Sequence, residues 1–158
     1  MLTGSYALAY YATPRMTRDL DIVVELRDMD VDRLVATFAP DFYIDSEAAR
    51  AAVKLQRLFN LLHLDSGVKV DFIVRKDTEY RLTEFSRRRA VELGRVQAWI
   101  ASREDLILSK LVWARDTGSE LQRRDVRALL AGPLDREYLD RWAAKLEVAK
   151  LLEEVANE

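Results

Sequence analysis

Two short stretches of this chain alternate acidic and apolar residues with a period of two, Asp19-Leu20-Asp21-Ile22 and Val70-Asp71-Phe72. That period is the repeat of an extended strand, whose side chains point to opposite faces in turn. On the first strand Asp19 and Asp21 share one face, and Leu20, Ile22 and Val24 share the other. On the second, Val68, Val70, Phe72 and Val74 form the apolar face and Asp71 projects from the opposite one. If the two strands pair, three carboxylates converge on one exposed spot above a buried layer. Three anions held together repel one another, so the arrangement calls for a cation. Mg²⁺ suits it, because it prefers oxygen ligands and leaves room for substrate phosphates. Upstream, Gly4-Ser5 reads as a turn opening a helix, whose backbone N–H groups can meet a phosphate. Ser5 serves there as a helix cap, a phosphate contact or both. Together these parts describe a metal-dependent site for phosphoryl or nucleotidyl transfer.

The rest of the pattern surrounds this pair of strands. Residues 5–12 read as a short helix capped near Thr3 or Ser5 and ended by Pro14. Residues 19–26, 58–64 and 68–74 read as strands, with Asp65-Ser66-Gly67 as the turn between the last two. Helical spacing marks residues 30–39, stopped by Pro40, and residues 46–53 and 78–89. Residues 96–100 suit one more strand. From Ser102 the chain reads as wholly helical, with Ser102 and Asp105 placed as an N-cap signature and further helices over 121–130, 136–146 and 148–155. The expected fold is α+β: a minimal mixed sheet flanked by helices over residues 1–100, then a C-terminal helical bundle over 101–158.

Composition narrows the chemistry. The chain lacks cysteine, so disulfides and thiolate metal sites are excluded, and its single histidine, His63, excludes a multi-histidine zinc site. A formal net charge of -2 gives no whole-chain attraction to nucleic acid, although Arg87-Arg88-Arg89 forms a local basic run. The uncharged run over residues 1–14 is too short to span a bilayer and lacks a basic leader, so a cytoplasmic protein without membrane contact is expected. His63 reads as structural, Glu25 as solvated, and Trp99, Trp113 and Trp142 as core or helix-packing residues. Lys110, a cation in an apolar helical stripe, either snorkels or reaches the site. Asp125 reads as a member of an intrahelical ion pair.

The residues Gly4, Ser5, Asp19, Asp21 and Asp71 resemble the signature of the nucleotidyltransferase superfamily related to DNA polymerase beta: Gly-Gly or Gly-Ser, a spacer, acidic-apolar-acidic-apolar, then apolar-acidic-apolar. The segment Thr13-Pro14-Arg15-Met16-Thr17-Arg18 is similar to the Pro-Arg-x-Thr of small bacterial members. Glu104-Asp105-Leu106, Lys110 and Arg124-Asp125-Val126 look like the C-terminal helices of AbiEii-type toxins. The resemblance implies that Asp19 and Asp21 hold two Mg²⁺ ions that grip an NTP. It implies that Asp71 ligates one of them and helps to deprotonate an attacking hydroxyl, and that Gly4, Ser5, Arg15 and Lys110 contact the nucleotide. The acceptor would be an RNA end, a protein or a small molecule, and a toxin-like role would bring an antitoxin partner. A non-catalytic binding module and a phosphodiester hydrolase are the alternatives. Family members carry an apolar residue where Thr3 stands, and a helix and strand ahead of the turn. The expectation here is therefore an uncovered sheet edge, covered by homodimerisation or by a partner through residues 1–12.

Overall fold

The computed structural model describes residues 1–14, 16–17 and 19–158. In chain order these form α1 (Gly4–Tyr11), β1 (Asp19–Val24), α2 (Val31–Phe38), β2 (Phe42–Ile44), α3 (Ser46–Leu55), β3 (Leu58–His63), β4 (Lys69–Val74), α4 (Glu79–Ser86), β5 (Arg89–Leu93), β6 (Val96–Ile100), α5 (Arg103–Thr117), α6 (Glu120–Leu130), α7 (Arg136–Lys145) and α8 (Ala149–Asn157). Local chemistry sets many of these boundaries. The side chains of Asp45, Thr78, Ser102, Ser119 and Asp135 each accept a bond from a backbone N–H in the first turn of α3, α4, α5, α6 and α7. Gly118 ends α5 in the left-handed conformation.

Four strands form a mixed sheet in the order β1-β4-β3-β2, with β1 parallel to β4 and the other neighbours antiparallel. Its apolar face carries Val70 and Phe72 and packs on Val31 of α2 and on Ala49, Ala52 and Val53 of α3, with Leu20, Ile22 and Val24 of β1 at the margin. A second core lies among the helices: Leu106, Ile107 and Leu111 of α5, Val126 and Leu129 of α6, Leu139 and Trp142 of α7 and Leu152 of α8. Ala7 and Leu8 of α1 and Tyr80 of α4 belong to this second core as well. Hence α1 is clamped between the sheet and the C-terminal helices, and its N-terminus is fixed from both sides.

The expectation of an uncovered edge is wrong. Leu2 forms an antiparallel bridge to Ile22 of β1 and a parallel bridge to Ile100 of β6. Backbone bonds run from Leu2 N to Trp99 O at 2.6 Å, from Ala101 N to Leu2 O at 2.9 Å, from Thr3 N to Asp21 O at 3.0 Å and from Val23 N to Met1 O at 2.8 Å. Residues 1–3 thus splint the β5–β6 hairpin to the sheet and cover the β1 edge at residues 21–23, which removes the reason for expecting a homodimer there. The sequence reading also missed β2, a strand of three residues, and ran α4 through to residue 89, where the chain instead enters β5. The hairpin signal was present in Gly94-Arg95, with Gly94 at φ 63°. Thr3, proposed as a cap for α1, makes no side-chain cap bond.

Candidate active site

The parallel register of β1 and β4 places Asp21 beside Asp71 and Asp19 beside Lys69. Partners in a ladder project to the same side of the sheet, so all four side chains lie on the face opposite the apolar layer. Asp71 is buried, with 8% of its surface exposed. Its Oδ2 lies 3.0 Å from the Lys69 ammonium, which also lies 3.7 Å from Asp19 Oδ2. Its Oδ1 is buried without a hydrogen-bond donor among the described residues. Burial raises the pKa of Asp21, and the charges of Asp71 and Asp19 raise it further, against the opposing pull of Lys110 and Lys69. The hydrogen bond to Asp71 raises the pKa of Lys69.

Gly4 closes this corner. Its φ is +60°, and a Cβ added there would stand 1.9 Å from Asp21 Oδ2. Only glycine meets both demands. Thr3, Gly4, Ser5, Asp19, Asp21, Lys69, Asp71, Lys110 and Trp113 line one cleft of about 620 Å³ between the sheet and α5. The carboxylates, the Gly-Ser turn and Lys110 are therefore brought together. Arg15, and with it Arg18, lies outside the described residues.

Lys110 does not snorkel. It is 4% exposed, and its Nζ donates to Asp125 Oδ2 at 2.7 Å and to Gln122 Oε1 at 3.0 Å, both on α6. Asp125 accordingly joins an interhelical pair, and not the intrahelical one expected. His63 accepts from Ser66 in the β3–β4 turn, and Glu25 pairs with Arg75 at 2.7 Å. Of the three tryptophans only Trp142 is buried. Trp99 lies under the Arg88 guanidinium, 4.9 Å from it, whereas Trp113 is 58% exposed at the cleft.

Sequence reasoning missed Lys69, Trp113 and Gln122. Lys69 carried a signal, since it stands two residues before Asp71 and must share its face. Trp113 stands three residues after Lys110, one helical turn along the same side of α5. Gln122 carried none, because only the packing of α6 on α5 brings it to the lysine. Among the described residues, no three acidic or imidazole side chains form a ready-made metal cage, and no helix is long and apolar enough to cross a membrane.

No family model matches the sequence, and no curated protein matches it. Among solved structures, the chain is similar to the crystal structure of an antigenic nucleotidyltransferase-like protein from Paracoccidioides brasiliensis, with a TM-score of 0.57 and 18% identity, over 97% of this chain and 78% of that one. At that identity the likeness is one of fold: the protein has a nucleotidyltransferase-like architecture, a mixed sheet bearing the carboxylates and helices closing over it.

Proposed function

We propose that the chain is a Mg²⁺-dependent nucleotidyltransferase that moves an NMP from an NTP to a hydroxyl acceptor. The observation that carries this reading is the Asp21–Asp71 pair, in register on one face with Gly4 pressed against Asp21. The donor set fits a divalent ion: Asp71 Oδ1 is buried without a donor, and Asp21 sits among like charges that a cation would relieve. Asp21 and Asp71 would hold the metal, with Asp19 beside them on the same face, and the metal when bound neutralises phosphate charge and polarises the α-phosphorus. Asp71 accepts the proton of the attacking hydroxyl. A new O–Pα bond forms, the Pα–O bond to the β-phosphate breaks, and pyrophosphate leaves. The start of α1 at Gly4 and Ser5 offers backbone N–H groups to the departing phosphates. Lys110, held by Asp125 and Gln122, adds positive charge from the facing helix. Trp113 offers its exposed ring to the nucleobase.

The acceptor classes are an RNA end, a protein hydroxyl and a small molecule. The resemblance of residues 104–126 to AbiEii-type toxins favours a toxin-like role with an antitoxin partner. Incubating the chain with Mg²⁺ and each labelled NTP, alongside Asp71→Asn, tests the reaction. Pyrophosphate release with a labelled acceptor, lost at least ~10²-fold in the variant, supports it. Equal turnover by both chains refutes it.

One observation favours a second reading, a non-catalytic nucleotide-binding module. Lys69 already neutralises part of the acidic cluster. Nucleotide binding without pyrophosphate release would select this alternative.

A further inference from the structure

Lys69 stands where the strand period obliges it to meet the acidic cluster. It is the ladder partner of Asp19 and precedes Asp71 by two residues, so its side chain emerges on the carboxylate face. Its ammonium bridges Asp71 Oδ2 at 3.0 Å and Asp19 Oδ2 at 3.7 Å. The remaining oxygen of Asp71, Oδ1, is buried and lacks a donor, and Asp21 is the neighbour of Asp71 in the ladder. The two oxygens of Asp71 thus have different surroundings: one is answered by a cation of the chain itself, the other by no donor among the described residues.

We infer that Lys69 is a built-in substitute for one of the two divalent ions, so that the site takes a single ion through Asp21 and Asp71 Oδ1. This inference rests on the metal-dependent reading above. A divalent ion bridging Asp71 and Asp19 would need the Oδ2 position that the ammonium holds, and would be repelled by it at short range. The ammonium is tethered to β4, a strand paired on both sides, so it competes at high effective concentration without being bound from solution. Lysine suits the role as a compact point charge with three donors. It neutralises and orients the carboxylates, but it does not activate a hydroxyl, so activation stays with Asp71 and the ion beside it.

Titration of the full chain with Mn²⁺ alone, followed by the paramagnetic resonance signal of the free ion, counts bound ions without reference to activity. The expected counts are one for the parent chain, one for Lys69→Arg, two for Lys69→Met and none for Asp21→Asn, with circular dichroism melting confirming that each variant is folded. Two ions in the parent chain, or one in Lys69→Met, overturns the inference and leaves the metal-dependent reading standing. One ion retained by Asp21→Asn overturns the placement. No ion in any of the chains overturns the inference, and no ion even when the titration is repeated with a non-hydrolysable NTP analogue overturns the reading beneath it as well.

Discussion

The Cα of Gly4 and the carboxylate of Asp21 are in such close apposition that a Cβ on residue 4 would stand 1.9 Å from Oδ2. Gly4 is also held at φ +60° while α1 is gripped by the helical core through Ala7 and Leu8. Gly4→Ala therefore meets two penalties, about 1–2 kcal/mol for a left-handed alanine and displacement of Asp21. Melting temperature should fall, and NMP transfer should fall further than stability alone explains. Parent-like turnover in a folded Gly4→Ala chain would show that the contact is incidental.

Lys110 has a structural position and, in the proposed reaction, a functional one, and a double substitution separates them. Lys110→Ala removes the buried ammonium that donates to Asp125 and Gln122, and breaking a buried ion pair costs about 3–5 kcal/mol in denaturant unfolding. Lys110→Met combined with Asp125→Leu removes both charges and should recover most of that loss. Nucleotide affinity, measured by calorimetry, should stay weak in both chains. Parent-like affinity in the double variant would confine Lys110 to a packing role.

Trp113 is exposed at the cleft, so its removal should spare the fold. Base–aromatic stacking is worth about 1–3 kcal/mol, so Trp113→Ala should raise the KM for NTP by roughly 5- to 150-fold with an unchanged melting temperature. Trp113→Phe should restore much of the affinity. Equal KM values for all three chains would remove Trp113 from the base site.

Glu84 lies buried in α4, accepting from Arg81 at 2.8 Å and from Ser109 at 2.9 Å. Burial raises the pKa of its carboxyl from its ordinary value, despite the opposing pull of Arg81 and Ser109. In the window between the unfolded value, about 4.3, and the raised folded value, the folded state holds more protons. Its contribution to stability is therefore greatest below that window and declines as pH rises through it. Urea unfolding of the parent chain and of Glu84→Gln across this range should show the parent losing ground to the variant as pH rises. A pH-independent difference would contradict the shift.

Asp105 is a polar hub of the helical half. It is fully buried and accepts from Ser102 Oγ at 2.6 Å, Tyr138 Oη at 2.6 Å and Arg87 Nε at 3.3 Å. Asp105→Ala should lower unfolding free energy by about 3–5 kcal/mol, since the buried partners lose their acceptor. Parent-like denaturant stability would show that water or a neighbouring acceptor replaces the carboxylate.

By itself the sequence determined what depends on local period and local chemistry. Alternation placed Asp19, Asp21 and Asp71 on one face of paired strands, apolar spacing marked the helices, and Ser102 with Asp105 marked the start of α5. These features repeat every two to four residues, so a short window contains them. Where the local signals were weak or conflicting, tertiary structure decided. The three residues of β2 are too few to show a period, and β5 begins in an arginine run that also suits a helix. The covering of the β1 edge by Leu2 and the β5–β6 hairpin, and the docking of Lys110 onto Gln122 and Asp125, join residues 12 to 99 positions apart. Nothing in a local pattern encodes such meetings; they are settled by which apolar faces bury together, and the polar partners are carried along by that packing.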